Sequence, residues 1–392
     1  MSGFYVYMCF LFIIAIIFNQ YNLRYIYQHI TSILGNYDGS LPLAHFLKQY
    51  YKQHPKLGSR DRKVLSEMTY CWYRCERGLR STIALEQRVQ ACLAICNRSG
   101  KHLTPFLPTD ETDIDFQLSG IFPHDVQLSA GIEKDEWLHS MLSQPDMFIR
   151  IRRNKEGIVN TLTQHNIPYK EISPTCFALP NSSNIDTLLP EEDYVVQDAS
   201  SQQTGVYFTP QNGQTWWDCC SGAGGKSLLL ADKHPAIHLT ASDTRHSILH
   251  NLLQRFKKYK LPAPATIQLN MADDKEVAQQ MKGRLFDGII CDVPCTGSGT
   301  WARTPEECYF FHTNKLTAIN TLQKNIANNA IKHLALNGTL YYITCSVFRQ
   351  ENEDVVSHML NTNSNIMLQE MHTINGIQNH ADSMFIALLK KK

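Results

Sequence analysis

The sequence predicts an α/β protein whose carboxyl-terminal half is a doubly wound parallel sheet. Three observations carry this. From about residue 198 onward, short β-rich runs alternate with helical stretches, the pattern of strands joined by crossover helices. Within that region Phe286 to Cys291 is an apolar run broken only at Asp287-Gly288, read as a parallel strand buried in the sheet. Upstream, Trp216-Trp217-Asp218 leads into the turn Cys220-Ser221-Gly222-Ala223-Gly224-Gly225-Lys226 and then an apolar helix, a strand–turn–helix unit.

At 392 residues the chain is long enough for two or three domains of about 150 residues each. With 43% hydrophobic and 19% charged residues it is globular rather than disordered. The formal net charge is only +1, so a nucleic-acid partner has to be held by local basic patches. Twelve cysteines without dense spacing fit a reducing cytoplasm better than a disulfide framework.

The chain opens on Gly3 to Phe18, apolar and uncharged. This run is slightly short of the roughly 20 residues of a spanning helix. It lacks the basic start and small-residue cleavage site of a signal peptide. Residues 1–24 are therefore read as an apolar leader, first as an extension with no role in the fold, then as a membrane anchor or a helix packed on the body, and a membrane partner is not the favoured expectation.

From residue 25 to 120 a small all-helical domain is expected. Leu43, Phe46, Leu47, Tyr50 and Tyr51, then Val64, Leu65, Met68, Tyr70 and Trp72, recur at helical spacing. Pro42 and Gly58-Ser59 read as helix starts. Lys48, Lys52, Lys56, Arg60, Arg62 and Lys63 make a basic cluster among Tyr50, Tyr51 and His54, an ordinary solvated face unless the protein meets RNA phosphates. The C-x-x-x-C pairs Cys71/Cys75 and Cys92/Cys96 lack the spacing of common metal sites and read as buried helical cysteine, so no metal is expected.

A Pro/Asp/Thr-rich connector, Thr104 to Gly120, leads to a small α+β domain over 121–197. Its expected strands are Met147–Arg152, Cys176–Leu179 and Tyr194–Gln197, with a helix from Lys155 to His165. Arg150, Arg152, Arg153 and Lys155 give it a basic edge. In 198–392, strands are expected near Thr215–Asp218, Ile237–Ser242, Ala265–Leu269, Phe286–Cys291 and Thr339–Thr344, with a closing pair near Ile366 and Phe385–Leu389.

Chemistry concentrates at the carboxyl ends of these strands, where open α/β sheets bind ligands. The glycine turn lets backbone approach a ligand and exposes amide donors. Its spacing matches neither a dinucleotide fingerprint nor a phosphate loop. Asp243, ending the next strand, is placed to take ribose hydroxyls. Such a half-site suits a nucleoside ligand without a required phosphate, of which S-adenosylmethionine is one. Asp292-Val293-Pro294-Cys295 and Thr344-Cys345-Ser346 put two thiols at neighbouring strand ends. Carbon 5 of a pyrimidine becomes nucleophilic only after something adds to carbon 6, and a thiolate both adds and leaves readily. Asp292 can accept from the N4 amino group of cytosine, Lys226 can assist by its charge, and one of the two thiols adds to C6.

At these residues the chain resembles the Sun/Fmu type of RNA cytosine-5 methyltransferases. The resemblance rests on Cys220–Lys226, on Asp292-Val293-Pro294-Cys295-Thr296-Gly297-Ser298-Gly299 with Arg303 and Pro305, and on Thr344-Cys345-Ser346 with Glu351-Asn352-Glu353. It extends to Asp198-Ala199-Ser200-Ser201-Gln202 and Asp382–Ala387, and the helical front end looks like the NusB-like domain of some members. It implies a Rossmann-like class I methyltransferase domain, with Cys345 forming the covalent bond to C6 and Cys295 assisting product release. The family's usual C-A-A-P-G-G-K turn is replaced here by Ser221, Gly222 and Ala223 in its middle, which implies a looser turn that still binds cofactor. Asp273 is the residue assigned to adenine.

The expectation is a cytoplasmic, monomeric, S-adenosylmethionine-dependent RNA cytosine-C5 methyltransferase. Cofactor contacts are expected from Cys220, Ser221, Gly222, Ala223, Gly224, Gly225, Lys226, Asp243, Asp273 and Asp292. The favoured substrate is small-subunit ribosomal RNA. Transfer RNA, or a mainly RNA-binding role in ribosome assembly, is the alternative. The target base has to leave its stack to reach a thiol, which favours unpaired RNA.

Overall fold

A computed structural model describes residues 23–80, 83–108 and 114–392, and these fall into two units. The apolar run Gly3 to Phe18 lies outside the described residues. Among the described residues no helix is long and apolar enough to cross a membrane.

One unit gathers the described residues up to His124 together with Leu138–Ser143 and Trp301–Phe311. It is helical: residues 23–36, Leu43–Gln53, Ser59–Cys75, Leu85–Ile95 and the short Pro305–Tyr309. Pro42 and Gly58 are the residues immediately before their helices, as expected, and the Gly58 amide donates to Asp61 Oδ2 at 3.0 Å. The apolar stripes meet in one core of Ile26, Ile30, Leu47, Leu65, Met68 and Leu93. All four cysteines of the C-x-x-x-C pairs are buried in it, with Cys75 and Cys96 Sγ 3.9 Å apart. Trp301 and Phe311 complete this unit by packing on Phe122.

The second unit comprises Asp125–Trp137, Gln144–Thr300 and His312–Lys392 and holds two sheets. The smaller contains β1 (Met147–Ile151), β2 (Lys170–Ser173), β3 (Cys176–Leu179) and β4 (Tyr194–Val196) in the order β2-β3-β1-β4, antiparallel throughout. Strand β2 was not anticipated, because Lys-Glu-Ile-Ser on an exposed edge carries no apolar alternation. Helix Lys155–Gln164 lays Ile158 and Leu162 on Ile149 and Phe177. Arg150 and Arg152 are two of the four cations of the expected basic edge, and each is paired. Both are turned onto Asp232, because alternate side chains of β1 and its exit share one face.

The larger sheet is built from β5 (Thr215–Asp218), β6 (His238–Asp243), β7 (Ala265–Gln268), β8 (Phe286–Asp292), β9 (Leu334–Thr344), β10 (Ile366–Ile374) and β11 (Met384–Lys391). Their order is β10-β11-β9-β8-β5-β6-β7. Strands β5 to β9 pair parallel, and the closing pair β10/β11 is antiparallel, with β11 also antiparallel to β9. This is the Rossmann-like methyltransferase architecture expected. The order reverses at β5 and β8, so that β5 feeds one half of the sheet and β8 the other. A crevice therefore opens at their carboxyl ends. Trp217, Ile289, Cys291, Leu340 and Tyr342 fill one face of the sheet, and helix Thr313–Lys332 covers them with Ile326, Ala327 and Ala330.

Candidate active site

Strand β5 ends on Asp218, which is fully buried, and its Oδ2 accepts from Ser227 Oγ at 2.6 Å. Burial raises its carboxyl to about 7, and its Oδ1 has no hydrogen-bond partner. The turn that follows is held by backbone. Ser221 donates its amide to Ser242 O at 2.9 Å, and Gly222 and Gly224 take left-handed φ values of 50° and 82°. Gly224 has a second reason to be glycine, since a Cβ there would lie 2.8 Å from Leu252 Cγ. The proline of the family pattern is therefore not required here: two glycines make the bend.

Asp243, at the end of β6, accepts the Gly222 amide on Oδ2 at 3.1 Å and the Arg245 amide on Oδ1 at 2.9 Å. Oδ1 also accepts from Arg245 Nε at 3.3 Å, so it is Oδ2 that keeps a lone pair for a ligand. Asp292, at the end of β8, accepts from Lys226 Nζ at 3.1 Å, and Lys226 also donates to Ser201 Oγ at 3.0 Å. Lys226 is buried, so the ion pair fixes its ammonium beside the strand end instead of leaving it to solvent. Ser201 belongs to the Asp198–Gln202 motif, whose helix is capped by Asp198 accepting the Ser200 amide.

The two thiols meet. Cys295 Sγ and Cys345 Sγ are 3.2 Å apart, and both line a cavity of about 620 Å³. The hydrogen bond with Cys345, and after it burial, push the Cys295 thiol well above its usual range, so it stays protonated at neutral pH. The two loops are tied together by Glu351, fully buried, which accepts from the Thr296 amide at 2.8 Å, from Thr296 Oγ1, from Ser346 Oγ and from Gln323 Nε2 at 3.0 Å. Asn352 adds bonds to Thr344 Oγ1 and Ser346 O. Gly299 pairs in both directions, donating to Cys345 O and accepting from Ser383 N, each at 2.9 Å. A Cβ on Gly299 would stand 2.1 Å from Ser383 O.

Of the residues singled out from sequence, Cys220, Gly222, Asp243, Asp292, Cys295 and Cys345 line this cavity. Ser221, Ala223, Gly224 and Gly225 shape its turn without lining it, and Lys226 reaches it through Asp292. Asp273 stands apart: it caps helix Asp274–Gln280, its Oδ1 accepting the Lys275 and Glu276 amides, while Asn270 after β7 lines the cavity. An acid followed by a helix-forming stretch is an N-cap signal, and that reading of Asp273 was available in the sequence. Glu351 was visible only as part of a motif, and nothing local shows that it receives hydrogen bonds from both cysteine loops.

Residues 206–390 match the family described as 16S rRNA methyltransferase RsmB/F. Over these residues the chain is similar to the RsmB/F methyltransferases. Among curated relatives, ribosomal RNA small subunit methyltransferase B of Pectobacterium carotovorum subsp. carotovorum is 28% identical over 251 residues, 61% of this chain and 57% of the relative. The protein of the same description from Proteus mirabilis is 26% identical over 264 residues, 64% of this chain and 60% of the relative. The aligned region thus spans under two thirds of these relatives' own length. Among solved structures the crystal structure of PH0851 superposes with a TM-score of 0.68 at 19% identity, covering 89% of this chain and 95% of that one. NSun6 from Pyrococcus horikoshii with SFG superposes at 0.58 and 15% identity, covering 66% of this chain and 94% of that one. These likenesses establish the fold.

Proposed function

We propose that the protein is an S-adenosylmethionine-dependent RNA cytosine-C5 methyltransferase acting on small-subunit ribosomal RNA. The observation that carries this reading is the 3.2 Å pair of thiols, Cys295 and Cys345, facing one cavity with Asp243 and Asp292. The relatives' descriptions support ribosomal RNA as the substrate.

The cavity's volume of about 620 Å³ falls within the usual ~300–1,000 Å³ of ligand pockets, and its lining fits a nucleoside. Asp243 would take the ribose hydroxyls, Asn270 the adenine edge, and Leu269 and Met271 its faces. When bound, S-adenosylmethionine supplies an electrophilic methyl group.

Cys345 Sγ, as thiolate, adds to C6 of a flipped-out cytosine. The electrons displaced from the C5–C6 double bond make C5 nucleophilic. Asp292, held by Lys226, accepts from the N4 amino group and stabilises the N3-protonated adduct. After methyl transfer the C5 proton leaves to a base, the C5–C6 bond re-forms, and the Cys345 thiolate departs. Cys295, kept as a thiol, donates toward the departing Cys345 sulfur rather than acting as the nucleophile, and so assists the release step.

The test is transfer of labelled methyl groups to unmodified small-subunit RNA and to bulk transfer RNA. Wild type should label cytosine C5, Cys345→Ala should lose at least about 10³-fold in rate, and Cys295→Ala should accumulate a denaturant-stable RNA adduct. Near-normal methylation by Cys345→Ala would overturn the nucleophile assignment. Labelling of transfer RNA alone would overturn the substrate.

A further inference from the structure

Beside the active site, in the same unit, lies a second cavity of about 440 Å³. Its lining includes Arg150, Lys233, Ser200, Gln203, Thr175 and Asn379, and no carboxylate. Arg150 is only 6% exposed. Its Nε donates to Gln197 Oε1 at 3.0 Å. Its Nη2 pairs with Asp232 Oδ2 at 2.7 Å. The Asp232 carboxylate is already occupied by Arg152, whose Nε and Nη2 donate to it at 2.6 to 3.0 Å. Lys233 Nζ donates to Gly205 O at 3.1 Å and pairs with no carboxylate among the described residues. Burial, and then the Arg150 charge, hold the Lys233 ammonium below its ordinary pKa. Arg150 and Arg152 thus share one carboxylate, and Arg150 and Lys233 face an enclosed space edged by hydroxyl and amide groups.

A buried guanidinium that shares its carboxylate with a second one, beside an ammonium paired with no carboxylate, leaves excess positive charge suited to an anion. Its place in the fold says which one. Helix Ala199–Thr204 separates the two cavities: Ser201 bonds Lys226 on the active-site side, while Ser200 and Gln203 line the other. Lys226 and Lys233 stand on one helix, Gly225–Lys233, seven residues and therefore about 10 Å apart along its axis. We propose that this cavity is a phosphate subsite for the RNA substrate, in which Arg150 and Lys233 hold a backbone phosphate of a nucleotide neighbouring the target cytosine. The inference rests on the reading of the protein as an RNA methyltransferase.

Two variants test it. Lys233→Met removes the unpaired charge, and Gln203→Glu, at an exposed position that tolerates substitution, sets a carboxylate against the phosphate. Both are measured for direct binding of an RNA oligonucleotide across salt, for steady-state methylation, and for S-adenosylmethionine affinity, with thermal melting as the control for folding. Each should weaken RNA binding about ten-fold, and Lys233→Met should lower the slope of log affinity against log salt by about 1. In turnover the loss should fall on the RNA KM rather than on kcat, with S-adenosylmethionine affinity kept. Unchanged RNA affinity and salt slope in both folded variants would overturn the subsite. Cytidine monophosphate binding that weakens in Lys233→Met while RNA affinity holds would make the cavity a free-nucleotide pocket and also overturn it. Absence of methylation by wild type would sink the enzymatic reading instead, while the binding slopes would still decide whether the cavity holds RNA phosphate.

Discussion

Asp218 shows how a single buried residue can act without touching a ligand. Its folded pKa of about 7 lies well above the roughly 3.9 of an unfolded aspartate, because burial penalises the charged form. Between these values the native state keeps a proton that the unfolded chain has released. The contribution of this carboxyl to stability is therefore full below about pH 4 and is lost as pH rises toward 7. Asp218→Asn keeps the shape and removes the titration. Denaturant unfolding of both proteins at pH 5 and pH 8 should show the wild type relatively more stable at the lower pH. An equal difference at the two pH values would show that Asp218 ionises normally. Such a shift was not legible in Trp216-Trp217-Asp218, where the aspartate reads only as a strand end. Nor was the pairing of Lys226 with Asp292 and Ser201, since it joins residues 66 and 25 positions apart.

At the level of elements, the site depends on two loops being held in register by a third. The Cys295 loop leaves β8, the Cys345 loop leaves β9, and Glu351 binds both from the turn before helix Glu353–Thr362. Replacing it with Gln turns an acceptor-only carboxylate into a group that also donates, against neighbours that are themselves donors. Each buried donor left unpaired costs about 1–3 kcal/mol. Glu351→Gln should therefore melt several degrees lower and lose methyl transfer at least ten-fold, while S-adenosylmethionine affinity, measured by calorimetry, stays near wild type. Activity and melting temperature both at wild-type level would show that the carboxylate is dispensable. The strands that carry these loops were legible because their apolar runs are long and buried on both faces. The hairpin direction of β10 and β11 was not, since β10 is a largely exposed edge strand and its direction is set by its pairing with β11.

On the scale of the molecule, the order of the chain and the order of the units differ. Trp301–Phe311 follows the Cys295 loop in sequence yet belongs with the helical residues. Trp301 is 1% and Phe311 2% exposed, packed with Phe122, and Phe310 lies against Tyr37 and Tyr73. Burying each such aromatic contributes about 1.5–3 kcal/mol. A chain truncated to begin at Asp125 loses these partners. It should therefore melt lower than the full chain and bind a hydrophobic dye that the full chain does not. Identical melting with no dye binding would show that the segment packs elsewhere.

The sequence by itself determined the elements and the chemistry at their ends: alternating strands and helices, two cysteines after apolar runs, an acid ending β6 and glycines at a bend. These are local signals, written in periodicity, side-chain type and backbone freedom within a few residues. Only the tertiary structure decided that the two thiols lie 3.2 Å apart, that Glu351 ties their loops, that Asp273 caps a helix while Asn270 lines the cavity, and that Arg150 and Lys233 share a second cavity. Each of these depends on which distant segments the sheet order and the core bring together. That choice is made by burial summed over the whole chain, so no short stretch of it carries the answer.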